Sequence, residues 1–171
     1  AEFYRLLADS PAFARFFDRG RRERPHRASP DFATLKVAEI LTRAPVSVAP
    51  DTPIAEAARM MRAAKVSSLG VTEADGRLLG LVTIRDMSSR VVAEGRDAAA
   101  PVATIMTPDP VTLPPDALGL DVLHAMIERR IGHLPVVEQG RLVGMITQTD
   151  LTRVQAISTS VLIHDITAAV T

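Results

Sequence analysis

The sequence predicts a mixed α/β (α+β) fold, in which two copies of a strand-helix-strand-strand-helix unit pack together behind a helical arm. Three observations carry this reading. From Lys36 onward the chain repeats at an interval of about 65 residues, which defines the structural unit. Each copy sets short β-rich runs around one apolar stripe at helical spacing. Hydrophobic residues make up 47% of the 171 and charged residues 23%, which suits a real core and excludes a disordered chain.

The repeat is direct. Val37-Ala38, Ile40 and Thr42 recur as Val102-Ala103, Ile105 and Thr107, and Pro45-Val46 recurs as Pro110-Val111. Met61, Leu69, Val71 and Glu73 answer Met126, Leu134, Val136 and Glu138. After a one-residue deletion, Gly76-Arg77-Leu78, Gly80, Thr83 and Asp86 recur as Gly140-Arg141-Leu142, Gly144, Thr147 and Asp150. The domain boundaries expected from this are an arm and linker over 1–34, a first copy over 35–98, a second over 99–157, and a terminal helix or linker over 158–171. A unit of about 60 residues is marginal alone, so the two copies should pack together.

Each element has a local reason. A strand, 46–48 or 111–113, runs into Pro50-Asp51 or Pro115-Asp116. In the first copy Thr52 suits an N-cap and Pro53 the first helical position, ahead of the stripe Ile54, Ala57, Ala58 and Met61. Leu118, Val122, Ala125 and Met126 repeat that stripe, and the methionines read as core filler. A hairpin follows, turning at Asp75-Gly76 or Gln139-Gly140. A last helix starts near Thr83 or Thr147.

The aromatics all lie early: Phe3, Tyr4, Phe13, Phe16, Phe17 and Phe32. Ser10-Pro11 resembles a helix start, and Phe13, Phe16 and Phe17 then share one face. The nearby arginines, Arg15 to Arg27, form either a nucleic-acid patch or a solvated linker; no aromatic is interleaved for base stacking. Twenty basic residues offset twenty acidic ones, so no global field draws nucleic acid or an anionic membrane. The absence of cysteine excludes disulfides and thiolate chemistry and fits the cytoplasm. No apolar run approaches the ~20 residues that span a bilayer, and no secretory signal is visible. A start at Ala1 suggests a piece of something longer.

The informative motif is glycine, two apolar residues, threonine, two residues, aspartate, present as 80–86 and 144–150. It sits at a strand-to-helix junction. There, helix amides attract an anion, a threonine hydroxyl can donate to phosphate, and an aspartate one turn on can accept ribose hydroxyls. The glycine would let a ligand approach the backbone. The same spacing also describes a capping box, which helices use without binding anything.

The whole arrangement resembles a tandem pair of CBS domains, the regulatory module named after cystathionine β-synthase. The likeness covers residues 36–157 and rests on both Pro-Val pairs, on Ile131-Gly132-His133-Leu134-Pro135-Val136-Val137, and on both Gly-to-Asp motifs in order. It implies two pseudo-twofold clefts that bind AMP, ADP, ATP or S-adenosylmethionine, and a flat homodimer, without catalysis. Carried over residue by residue, Asp86 and Asp150 would hold ribose, and Thr83 and Thr147 phosphate. Val66, Ser67 and Ser68, or Ile131, Gly132 and His133, would line the clefts. Backbone near Ala44 and Val46, or Asp109 and Val111, would meet the base. His133 reads either as a phosphate ligand or as a packing residue. Gly70 stands where the second copy has Pro135, a departure bearing on cleft occupancy.

The flanks resemble bacterial signal-transduction proteins in which a cyclic-nucleotide-binding domain precedes the pair and a nucleotidyltransferase-like domain follows. That likeness rests on the stretches 10–14, 90–97 and 151–166. Leu162, Ile166, Ala169 and Val170, at helical spacing, would lead into the downstream domain or cover the module. The rival readings are a dimerisation scaffold with empty sites, a regulatory fragment of a nucleotidyltransferase, and an enzyme in its own right. Against the last, no G-x-S-x-G elbow, H-E-x-x-H helix or phosphate loop occurs, and His26, His124, His133 and His164 are scattered. Neither a catalytic nor a metal site is expected.

Overall fold

A computed structural model describes residues 32–153. The expected arm helix with Phe13, Phe16 and Phe17, and the tail with Leu162 and Ile166, lie outside the described residues. A 3-10 turn, Phe32–Thr34, leads into α1 (Val37–Ile40), β1 (Ser47–Val48), α2 (Ile54–Ala64), β2 (Ser68–Thr72) and β3 (Leu78–Thr83). The short α3 (Ile84–Asp86) runs on as a π-helical stretch, Met87–Val92. The second copy follows with a 3-10 turn (Val102–Thr104), β4 (Thr107–Pro108), α4 (Gly119–Arg129), β5 (His133–Glu138) and β6 (Arg141–Thr147), and residues 148–153 are helical.

The first sheet has the order β1-β2-β3-β4, with β1 parallel to β2 and the other pairs antiparallel. The second is the hairpin β5-β6. Residues 111–113 were expected to mirror β1, yet only Leu113 bridges Val136. The reason is a missing donor. In the first copy the Gly70 N–H donates to the Val46 carbonyl at 3.1 Å. Pro135 at the equivalent place has no N–H to give, so that rung of the ladder is missing.

The helix starts also depart from expectation. Pro53, not Thr52, occupies the cap position of α2, and no side chain caps it. The connector between the copies does so instead. Ile54 N–H donates to the Ala100 carbonyl at 3.0 Å and Ala55 N–H to the Ala98 carbonyl at 2.9 Å. At α4, Gly119 N–H donates to the Leu35 carbonyl at 2.8 Å. The opening amides of each helix are thus satisfied by backbone leading into the other copy.

The cores are completed reciprocally. Leu69, Val71, Val82 and Met61 of the first copy pack with Val102 and Ile105 from the lead-in of the second. Leu134, Val136, Ile146 and Met126 pack with Phe32, Val37 and Ile40 from the lead-in of the first. The hairpin tips join as well: Leu78 N–H donates to the Gly140 carbonyl at 3.1 Å, and Leu142 N–H to the Gly76 carbonyl at 3.0 Å. The turns differ by the one deleted residue. Gln139 and Gly140, at φ 50° and 80°, make a two-residue primed turn, whereas the first hairpin uses a three-residue loop ending at Gly76, φ 87°.

Candidate functional site

Both Gly-to-Asp motifs fold into the same small structure. Asp86 Oδ2 accepts from the Thr83 N–H at 2.8 Å and from its hydroxyl at 2.7 Å. Asp150 Oδ2 accepts from the Thr147 N–H at 2.9 Å and its hydroxyl at 2.7 Å. These are capping interactions, and both aspartates are buried. Their other oxygens face arginines: Arg90 Nε lies 3.4 Å from Asp86 Oδ1, and Arg153 Nη1 lies 3.5 Å from Asp150 Oδ1. A carboxylate offers about four lone-pair directions, so each retains capacity for a ribose hydroxyl.

Three parts of the expected chemistry look different in place. The threonine hydroxyls donate to the aspartates, so a phosphate would have to displace that bond. The leading amides are largely engaged: Ile84 N–H donates to the Ser67 carbonyl at 3.0 Å and Gln148 N–H to the Gly132 carbonyl at 3.1 Å. The motif glycines do not open toward a ligand. A Cβ on Gly80 would collide with Met106, and one on Gly144 with Leu41, so their missing side chains admit the lead-in of the other copy. Gly70 works in the same way. Leu142 occupies the space its Cβ would need, which places the Gly70-for-Pro135 difference at the junction of the hairpins.

A shallow, solvent-open cleft is lined by Arg43, Ala44, Pro45, Val46, Val66, Ser67, Ser68, Met145 and Thr147. The loops of the first copy therefore face the motif of the second. Six expected residues converge here: Ala44, Val46, Val66, Ser67, Ser68 and Thr147. Arg43, Pro45 and Met145 were not anticipated. Met145 had a readable signal, because alternation along β6 puts it on the face of Thr147 while Ile146 enters the core. Asp150 follows one turn behind Thr147.

The repeat relates Ala44, Val46, Val66, Ser67 and Ser68 to Asp109, Val111, Ile131, Gly132 and His133, the residues expected to form a second cleft with Thr83 and Asp86. Its walls are joined by β4, whose Thr107 pairs with Leu81, and by the Asp109 N–H donating to the Leu79 carbonyl at 3.3 Å. Arg90, also unanticipated, fastens the same junction. Its Nη1 donates to the Ile105 and Met106 carbonyls at 2.7 and 3.0 Å, while its Nε faces Asp86. Between the clefts, His133 Nε2 and Ser67 Oγ lie 2.8 Å apart. Burial lowers the His133 pKa below its ordinary value; Asp86 opposes that, Arg85 reinforces it, and Asp150 opposes it. Among the described residues no three acidic or histidine side chains gather as a metal site.

The CBS domain family matches the chain twice, over residues 37–93 and 102–157. The chain belongs to the CBS domain family. Among curated relatives, the CBS domain-containing protein YhcV of Bacillus subtilis is 35% identical over 115 residues, which is 67% of this chain and 81% of that protein. CBSCBSPB3 of Arabidopsis thaliana is 30% identical over 126 residues, 73% of this chain but 23% of the plant protein, so the chain spans a minor part of that relative. The CBS pair of protein MJ0100, solved with 5-methylthioadenosine and S-adenosyl-L-methionine, superposes with a TM-score of 0.67 at 26% identity, covering 72% of this chain and 97% of that one. This CBS pair is a regulatory module. Among the described residues no helix is long and apolar enough to cross a membrane.

Proposed function

We propose that this CBS pair senses an adenosine derivative, AMP, ADP, ATP or S-adenosylmethionine, bound between its copies, and passes the bound state to attached domains without turning the ligand over. The observation that carries the reading is the first cleft. Backbone at Ala44 and Val46 and the Ser67 hydroxyl line one wall, and Thr147 lines the other from the second copy, with Asp150 one turn behind it. A ligand there touches both copies at once, so its binding biases their relative placement. The adenosine ligands of MJ0100 support the same class. Asp86 and Asp150 are the ribose acceptors, and the second cleft, with Asp109, Val111, Ile131, Gly132 and His133, is the related site.

Mass spectrometry of small molecules released from the purified protein, followed by calorimetry with each candidate, tests this. An adenosine compound with measurable heat is expected; none with AMP, ADP, ATP or S-adenosylmethionine would overturn the reading. Product formed by the isolated chain would overturn its non-enzymatic character.

The reading extends to a cytoplasmic homodimer flanked by a cyclic-nucleotide-binding domain and a nucleotidyltransferase-like domain. For the dimer, α4 presents Leu120 and Ile127, 55% and 67% exposed and two turns apart on one face. Light scattering should give a dimer mass, and a monomer at micromolar concentration would refute it. The second reading, a dimerisation scaffold with empty sites, is favoured by the internally satisfied Thr–Asp pairs, and the same calorimetry separates the two.

A further inference from the structure

The Ser67–His133 hydrogen bond crosses from one copy to the other, 66 residues apart in sequence. Its two partners serve different clefts. Ser67 lines the first, beside Thr147. His133 opens β5 at the wall of the second, at the position the pseudo-twofold relates to Ser68. We propose that this bond couples the two clefts, so that an adenosine ligand in one makes the other bind more tightly. The inference rests on the reading that both clefts take such a ligand.

The argument is one of donors and acceptors. The imidazole is half-buried, with Asp86 and Arg85 facing it from the helical turn after β3 and Asp150 from the helix after β6. Burial favours its neutral form, which has one donor nitrogen and one acceptor. Nε2, engaged by Ser67, cannot at the same time serve a ligand in the second cleft. In the proposed coupling Ser67 donates to Nε2, so its single proton is committed to the bond and is withheld from an acceptor in the first cleft. A ligand that takes the Nε2 lone pair or the Ser67 proton must open the bond, and opening it releases the other partner. The first ligand therefore bears the loss and the second does not. A neutral hydrogen bond of this kind corresponds to about a 2- to 10-fold difference in stepwise affinity.

Calorimetric titration of the whole chain with AMP, and in parallel with S-adenosylmethionine, tests the coupling. The expected result is two steps, the second about 2- to 10-fold tighter than the first after statistical correction. Ser67→Ala should abolish the tightening of the second step, while Ser67→Thr, which keeps the hydroxyl, should restore it. Melting curves on both variants establish that they fold. A second step no tighter than the first in the wild type, one bound ligand per chain, or coupling that persists in Ser67→Ala would overturn the proposal and leave the adenosine reading standing. No heat with either compound would overturn both.

Discussion

Replacing Asp150 separates ligand binding from helix capping, because the two roles load different measurements. In Asp150→Ala the Thr147 N–H and hydroxyl lose the acceptor now 2.9 and 2.7 Å away. Losing a cap costs about 1 kcal/mol, up to ~2, and the exposed Arg153 partner adds little. For a chain of this size each kcal/mol moves the melting temperature by roughly 2–4 °C, so a fall of about 2–8 °C is expected. If the carboxylate also accepts ribose hydroxyls, affinity at the first cleft falls by the worth of a charged hydrogen bond, about 1.5–3 kcal/mol, or roughly ten- to a hundredfold. Asp150→Asn sharpens the comparison. Its amide oxygen still accepts from the Thr147 N–H, so the melting temperature stays near wild type while the charge-assisted part of ribose binding is lost. Differential scanning fluorimetry and calorimetry on both variants are the assays. A lower melting temperature with unchanged affinity in Asp150→Ala would refute ribose binding and leave Asp150 as a cap.

Three further outcomes follow from the same geometry. Gly70→Ala should destabilise the chain by about 1–3 kcal/mol in urea unfolding, because Leu142 fills the space of the new methyl; Leu142→Ala introduced with it should recover part of that loss. Arg90→Ala removes donors to the Ile105 and Met106 carbonyls and the partner of Asp86, and should lower stability by about 1–3 kcal/mol in the same assay, with Arg90→Lys recovering little. Because burial holds His133 below its ordinary pKa, the unfolded chain binds the proton more readily. Stability contributed by the neutral imidazole is therefore present above about pH 6.5 and is lost as pH falls from there toward the lower folded-state value. Melting temperature against pH should lose that component in His133→Gln, and an unchanged profile would contradict the assignment.

Much of the fold was legible because its signals are local. The two apolar helix stripes, the hairpin turns and the Thr–Asp pairs each occupy fewer than a dozen consecutive residues, and the duplication presents each of them twice. The features that escaped depend on residues far apart. Pro135 removes a rung that would have paired with residues 111–113. Ala98 and Ala100 cap a helix that begins at Ile54. Arg90 lay in a stretch that looked like a connector, and only the path of residues 105–107 makes it a brace. The motif glycines were read toward a ligand because glycine's freedom is visible in sequence while the side chain that will use it is not. The same holds for the cleft: each half was named, but the crossing that sets first-copy loops against Thr147 comes from the exchange of lead-in segments.

That exchange constrains how any signal leaves the module. Leu41 packs into the space at Gly144, and three residues later Ala44 lines the first cleft. Upstream of Leu41, Phe32, Val37 and Ile40 are embedded in the core of the second copy. The opposite wall is Thr147, whose helix continues through Leu151 into that same core. Both directions of the chain therefore depart from one packed unit that begins at the walls of the first cleft. A displacement of Ala44 relative to Thr147 cannot be absorbed by a loose joint, because close-packed cores repack rather than deform. The second cleft is placed differently. Its walls are held by β4 and by Arg90, both between the copies and distant in sequence from either end of the described chain. On this geometry the proposed ligand in the first cleft would act on the outgoing segments directly, whereas one in the second would act on them through the contacts that join the copies, Ser67 and His133 among them.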